Sequence, residues 1–308
     1  MLLCAGEALI DMLPRKTEAG EAAFAPYPGG SVFNTAVAAA RLGVETGFFS
    51  GLSTDLFGER LSAVLATTGI DSSLAARSDR PTTLAFVTLT EGQARYAFYD
   101  ENTAGRMLSE HDLPALPDPV AAVFLGGISL AVEPCADAYA ALAARAAGDR
   151  LVMLDPNIRP GFVADAPRFR ARLDRMIAAA DIVKISDEDM AWLMGDGPLP
   201  DLAARLRAQG PALVLVTEGA QGATAHGAGG PVSVPAAAVE VVDTVGAGDT
   251  FNAGFLAGLA DAGALDKASV RAGLDADTLA AALTLGTRAA AVTVGRAGAN
   301  PPHREELA

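Results

Sequence analysis

Residues 243–254 read Asp243-Thr244-Val245-Gly246-Ala247-Gly248-Asp249-Thr250-Phe251-Asn252-Ala253-Gly254. Small residues at 246–248 let a backbone turn tightly and approach a ligand. An apolar helical run follows, expected from 250 to 262. The free N–H groups of such a helix start attract an anion, and the macrodipole adds to the pull. Asp249 stands at the turn, where a carboxylate either caps the helix or accepts the proton of a substrate hydroxyl. A bare Gly-Ala-Gly-Asp favours the cap, whereas the full pattern favours chemistry.

Working outward, apolar runs alternate with helical ones from about residue 118. Strands are expected at 121–130, 150–155, 181–185 and 212–216, and helices at 137–147, 166–179 and 199–208. That alternation argues for a largely parallel sheet covered on both faces. Residues 222–238 read as a short antiparallel meander and 277–292 as a helix. Nearer the N-terminus, 2–10 reads as one buried strand, 31–41 as a helix stopping at Gly43, 47–52 as strand and 57–68 as helix. Residues 84–90 and 95–100 form a hairpin signal around Glu91-Gly92-Gln93. The polar stretch 12–28, with Pro14, Pro26 and Pro28, leaves the core and joins that hairpin in a small sheet.

The 308 residues are 51% hydrophobic and 19% charged, enough to bury a sizeable core. A net charge of −14 argues against a nucleic-acid surface. Glu7 and Asp11 interrupt the apolar N-terminus, so neither a signal peptide nor a membrane span is expected. Two cysteines, Cys4 and Cys135, make no disulfide framework and point to a reducing, cytoplasmic setting. Each is expected to be a small buried hydrophobe.

No GxxxxGK[ST] loop is present, and no GxGxxG follows the first strand, which sets aside P-loop and dinucleotide chemistry. His111, His226 and His303 have no zinc spacing and read as surface or loop residues.

A second motif runs Gly29-Gly30-Ser31-Val32-Phe33-Asn34-Thr35-Ala36 and on to Ala40-Arg41-Leu42-Gly43. Its glycines allow close backbone approach, and the Asn34 amide both donates to and accepts from a hydroxyl, as sugars require. Together the two motifs resemble the ribokinase-like (PfkB) family of carbohydrate kinases, whose patterns GGxxxNxAxxxAxLG and DTxGAGDxFxxG match at 29–43 and 243–254.

The resemblance implies a three-layer α/β/α fold spanning 1–308 as one kinase domain, with a mostly parallel central sheet. A small β lid would come from about 12–28 and 80–106. It implies ATP and Mg²⁺, a small-molecule sugar, and a homodimer formed through the lid. Asp249 would be the general base, and the N–H groups of Gly246, Ala247 and Gly248 the anion hole. Asp11, Gly29, Gly30 and Asn34 would bind the sugar. In Asp155-Pro156-Asn157-Ile158-Arg159, similar to the DxNxR segment of the fructokinase branch, Arg159 would reach it too. Thr217, Gly219 and Gly222 match the TxGxxG turn near the nucleotide phosphates, although a plain hairpin turn fits as well.

Lys184, one of three lysines, either lies near the nucleotide or is a surface residue. Relatives usually carry Asn-x-x-Glu after that lysine, where this chain has Ser186-Asp187-Glu188-Asp189. Asp189 is thus a weakened candidate for arranging Mg²⁺. A K⁺ site is implied near Asp243 and Val245. Of Tyr96, Phe98 and Tyr99 on the hairpin, alternation turns only one face inward, and Phe98 is the candidate to cover a sugar. The branch implies D-fructose as acceptor and fructose 6-phosphate as product. 2-Keto-3-deoxygluconate, ribose and ribosides stay open, and an inactive sugar- or nucleotide-binding sensor is the reading from another class.

Overall fold

The computed structural model describes residues 1–90 and 93–307, so Glu91 and Gly92 of the expected hairpin turn lie outside the described residues, as does the side chain of Tyr96. In chain order the N-terminal elements are β1 (Leu2–Ala5), β2 (Leu9–Lys16), β3 (Ala22–Gly29), α1 (Ser31–Arg41), β4 (Thr46–Phe49), β5 (Gly51–Ser53), α2 (Leu56–Thr67), β6 (Ala76–Ser78), β7 (Leu84–Thr90) and β8 (Gln93–Tyr99). Then follow β9 (Ala122–Gly126), α3 (Cys135–Ala146), β10 (Leu151–Asp155), α4 (Ala166–Ala179), β11 (Ile182–Ser186), α5 (Asp187–Met194), α6 (Leu199–Arg207) and β12 (Leu213–Thr217). The chain closes with β13 (Ala223–Gly227), β14 (Gly230–Val234), α7 (Ala247–Asp261), α8 (Lys267–Ala272) and α9 (Ala276–Val294).

The central strands are largely apolar because both of their faces are buried. Side chains alternate between faces. Leu2 and Cys4 of β1 therefore enter one core, and Leu3 and Ala5 enter the other. β4 splits the same way between Phe48 and Phe49, and β9 between Phe124 and Leu125. Phe33, Leu61, Phe255 and Leu283 of α1, α2, α7 and α9 fill the first core. Leu142, Leu173, Met190 and Leu206 of α3 to α6 fill the second. The three layers follow directly. Cys4 and Cys135 are free and buried, and burial pushes both thiols up.

Strand order in the eight-stranded sheet is β14-β13-β12-β11-β10-β9-β1-β4. Pairing is parallel from β4 to β12 and antiparallel at β13 and β14. The chain leaves β1 toward β4 on one side and returns to β9 on the other. That makes the β1/β9 boundary a switch point, whose carboxyl edge is where open α/β sheets bind ligands. A separate four-stranded sheet has order β3-β2-β7-β8 and gathers most of 12–28 with the hairpin.

The stretch 2–10 is not one strand. Gly6 and Glu7 break it into β1 of the central sheet and β2 of the small one. Glu7 is buried, and its carboxylate accepts the N–H of Ser31 at 3.0 Å and of Ser129 at 3.3 Å. Tertiary donors hold the break, and no local turn signal announced it. His226 likewise sits within β13, half-buried, not in a loop.

Helix α7 packs on α9 through backbone. A Cβ on Gly258 would stand 2.5 Å from Ala282 Cα, and one on Gly254 2.7 Å from Gly286 Cα. Such close approach admits only glycine, and it fixes where the N-terminus of α7 points.

Candidate active site

A cleft of about 850 Å³ lies between the carboxyl edge of the central sheet and the small sheet. At its floor α7 starts at Ala247, three residues earlier than its sequence suggests, with Gly246 as N-cap in the left-handed region at φ 79°. Asp249 thus falls in the first turn, where its backbone N–H and those before it lack intrahelical partners. Gly246, Ala247 and Gly248 all line the cleft. The Ala247 N–H reaches back 3.3 Å to the Thr244 carbonyl, so it is partly engaged.

Asp249 is buried, and both of its carboxylate oxygens accept hydrogen bonds. Ser31 Oγ donates to Oδ1 at 2.6 Å and Asn34 Nδ2 to Oδ2 at 2.9 Å. Burial pushes this carboxyl up to about 6, against the pull of the Ser31 and Asn34 bonds; Asp155 raises it further and Lys184 opposes it.

The register of the small sheet aligns Asp11 with Ala85 and Ala85 with Phe98. Those three residues share one face, and Asp11 and Phe98 both line the cleft. The Phe98 ring meets Phe162 edge-on at 4.3 Å. Tyr99 points the other way and is 63% exposed. Burial and the charge of Asp249 push Asp11 up to about 6. Gly29 forms no part of the cleft wall but makes room for it: a Cβ there would stand 2.2 Å from Asp11 Oδ2. Gly30 and Asn34 do line the cleft.

Lys184 is no surface residue. It is buried in β11, with Nζ 3.1 Å from Asp155 Oδ2. The same oxygen accepts from Asn252 Nδ2 at 2.7 Å. Nζ lies 3.3 Å from where a Cβ on Gly248 would be, so the ammonium stands beside the glycine turn.

The Ser186-Asp187-Glu188-Asp189 departure has a structural account. Ser186 is the N-cap of α5, a helix the sequence reading missed, and accepts the Asp189 N–H at 3.1 Å. Serine and asparagine cap equally well. Asp187, Glu188 and Asp189 fill the first turn, where the helix dipole favours acid. Asp189 Oδ2 accepts the Ile158 N–H at 3.1 Å and so pins the loop that carries Arg159 into the cleft. Burial, followed by the charge of Asp155, pushes the Asp189 carboxyl up. Among the described residues no three His, Cys, Asp or Glu stand together as a metal cage.

Thr217, Gly219 and Gly222 lie outside the cleft walls. Thr217 ends β12 beside Ser186, on the same carboxyl edge. Gly222 turns the chain into β13, with the Glu218 N–H on its carbonyl at 2.9 Å. Asp243 ties its own loop together, accepting from the N–H of Val245 at 3.0 Å and of Gly298 at 2.9 Å. Val245 lines the cleft.

Among the cleft residues to which the sequence assigned no role are Ser31, Asn157, Asp100 and Arg106. The last two form an ion pair at 3.0 Å. Ser31 falls on an unspecified position of its motif, Asn157 is the asparagine of the DxNxR segment but was given no role there, and the Asp100–Arg106 pair lies in no motif at all.

The pattern of the pfkB family of carbohydrate kinases matches residues 1–306. The chain is 53% identical over 259 residues to a fructokinase of Rhizobium leguminosarum bv. trifolii, covering 84% of this chain and 79% of that protein. A fructokinase of Xylella fastidiosa with bound ATP superposes with a TM-score of 0.87 at 28% identity, over 99% of this chain and 96% of that one. A fructokinase of Vibrio cholerae O395, bound to fructose, ADP and calcium, superposes with a TM-score of 0.84 at 25% identity, over 99% and 97%. Motifs, fold, cleft and relatives agree: the chain belongs to the pfkB family of carbohydrate kinases.

Proposed function

We propose that the chain transfers the γ-phosphoryl group of ATP to D-fructose, giving fructose 6-phosphate, with Asp249 as general base. One observation carries the assignment: a buried carboxylate held up at about 6 stands in the first turn of α7, beside the Gly246–Gly248 donors. A base of that pKa is ionised at neutral pH yet strong enough to take a proton as the sugar oxygen attacks phosphorus. Charge spreads over the transferring oxygens, where the helix start and Lys184 meet it. Asp11, Asn34 and Arg159 supply hydroxyl-binding groups, and Gly30 keeps the backbone close. Phe98 closes the sugar side.

The donor set fits a triphosphate, with first-turn N–H groups and an ammonium on one edge. Along that edge, Thr217, Gly219 and Gly222 continue the row from Ser186 and offer the nucleotide a longer groove. Mg²⁺, when bound, spreads the phosphate charge; with no protein cage among the described residues it enters with ATP. We assign Asp189 to loop positioning first. A K⁺ near Asp243 and Val245 fits only as a further partner of a carboxylate that already accepts two N–H groups, and no step depends on it. The sensor reading leaned on the Ser186 and Asp189 departure, which is now a helix cap.

The small sheet acts as a lid over the sugar, excluding water as a competing acceptor. Its outer face carries Phe24 and Tyr99, both exposed, with Phe86 against Phe24 and Tyr99 at 5.0 and 5.4 Å. That aromatic patch is where a second copy would pair, making a homodimer. Sedimentation velocity is expected to give twice the chain mass; a monomer mass overturns the pairing. The reducing cytoplasm suits two buried free thiols, and among the described residues no helix is long and apolar enough to cross a membrane.

ADP release with ATP and Mg²⁺ across fructose, 2-keto-3-deoxygluconate, ribose, glucose, tagatose and nucleosides tests the substrate. We expect fructose to exceed every other sugar by about tenfold or more in kcat/KM. A higher value on another sugar reassigns the acceptor. No turnover on any of them, with ATP bound, removes the fructose assignment.

A further inference from the structure

Both oxygens of the proposed base hold donors supplied by the protein itself, and one of those donors is in turn held by another. A carboxylate only accepts, so at 2.6 Å from Asp249 Oδ1 the Ser31 hydroxyl must donate its single hydrogen there. Asn157 Nδ2 lies 3.0 Å from the same hydroxyl oxygen. With the Ser31 hydrogen committed, Asn157 must donate through its NH₂, which fixes the orientation of its amide. The chain of donors runs one way, from Asn157 to Ser31 to Asp249.

Each member is held from elsewhere. The Ser31 N–H donates to Glu7 Oε1 at 3.0 Å, and its carbonyl accepts from Thr35 Oγ1 at 3.0 Å. Asn157 adopts φ 42°, in the left-handed region, with its N–H on Asp155 Oδ1 at 3.2 Å. A non-glycine residue is uncommon there, so surrounding contacts must hold it. Without that bend the Asn157 amide would follow a different course from the end of β10.

We infer that Ser31 is a positioning residue for phosphoryl transfer, oriented by Asn157 so that its hydroxyl fixes the plane of the Asp249 carboxylate and leaves a free lone pair aimed at the sugar hydroxyl. The inference deepens the proposed function and rests on Asp249 being the base. Asn34 anchors the other oxygen, so two donors from one helix start set the carboxylate's rotation. The charged groups that bear on Asp249 are Glu7, Asp11 and Asp155, which disfavour its ionised form, and Lys184, which favours it. Against three acids and one ammonium, a short hydroxyl contact is a principal stabiliser of the anion.

The test is kcat against pH with fructose and MgATP for Ser31→Ala, Ser31→Thr, Asn157→Ala and the Ser31→Ala/Asn157→Ala double variant, with Asp249→Asn as control. Losing the hydroxyl raises the carboxyl further. The acid limb of kcat in Ser31→Ala is therefore expected to move up by about half a unit or more, and kcat at its plateau to fall about tenfold. Ser31→Thr keeps the hydroxyl and restores the limb. Asn157→Ala shifts it the same way by less, and the double variant goes no further than Ser31→Ala. A lowered kcat with an unmoved limb in Ser31→Ala overturns the positioning role, and additive shifts in the double variant remove Asn157 from it. Should Ser31→Ala fail to fold, Asn157→Ala alone decides, because an unmoved limb there breaks the chain of donors. Near-normal kcat in Asp249→Asn sinks the base assignment itself, a result distinct from either.

Discussion

Asp249→Asn is expected to lower kcat by about 10²–10⁴-fold while leaving ATP affinity within about threefold. The amide keeps the shape of the side chain and still accepts the Ser31 hydroxyl, but it takes no proton. Asn34, which donates to Oδ2 at 2.9 Å, meets an NH₂ there and turns its own amide to accept. Stability should not fall. The folded-state carboxyl is held up near 6 by burial, so the ionised form is disfavoured in the fold and stability drops as pH rises through the window from about 4 to 6. A neutral amide lacks that penalty, and the melting temperature at pH 7 should equal or exceed that of the parent. Single-turnover ADP release and a thermal melt check both halves. A kcat within tenfold of the parent removes Asp249 as base.

Asp155→Ala carries the largest expected effect on stability, a loss of about 3–5 kcal/mol. Asp155 is 1% exposed and accepts three donors: Lys184 Nζ at 3.1 Å, Asn252 Nδ2 at 2.7 Å and the Asn157 N–H at 3.2 Å. Removing it strands a buried ammonium beside the Gly246–Gly248 turn and leaves an amide unsatisfied. The urea midpoint should fall with an unchanged slope. Asp155→Ala/Lys184→Met, which removes both charges, should recover more than half of the loss. A cost below about 1 kcal/mol for the single change would mean that water reaches Lys184 in the native state. Asn157→Ala keeps its backbone N–H on Asp155 Oδ1 and should cost far less.

Much of this protein was legible before any coordinates. The two glycine-rich motifs and the strand–helix alternation are local signals, and each came out near its place. Asn34 and Asp249 stand in first helical turns, Arg159 follows the end of a central strand and Asp11 sits on a strand of the small sheet, so the cleft between the two sheets collects all four. The misreadings share a cause. The run 2–10 is uniformly apolar, and only the Glu7 contacts with Ser31 and Ser129 divide it between two sheets. Helix α5 is short, and its strongest signal, the Ser186 cap, was read as a damaged metal motif.

Sequence by itself determined the layers and the family, because hydrophobic period and glycine placement are properties of neighbouring residues. It also placed Asp249 where a glycine turn leads into a helix. Only the tertiary structure decided what that carboxylate is. Ser31 and Asn34 lie 218 and 215 residues from it in the chain, and its burial comes from α1 and α7 packing together. Lys184 became a buried partner of Asp155, and Asp189 the anchor of a loop, through contacts of the same long-range kind. Proton affinity and charge pairing depend on what folding brings within a few ångströms, which local pattern does not encode.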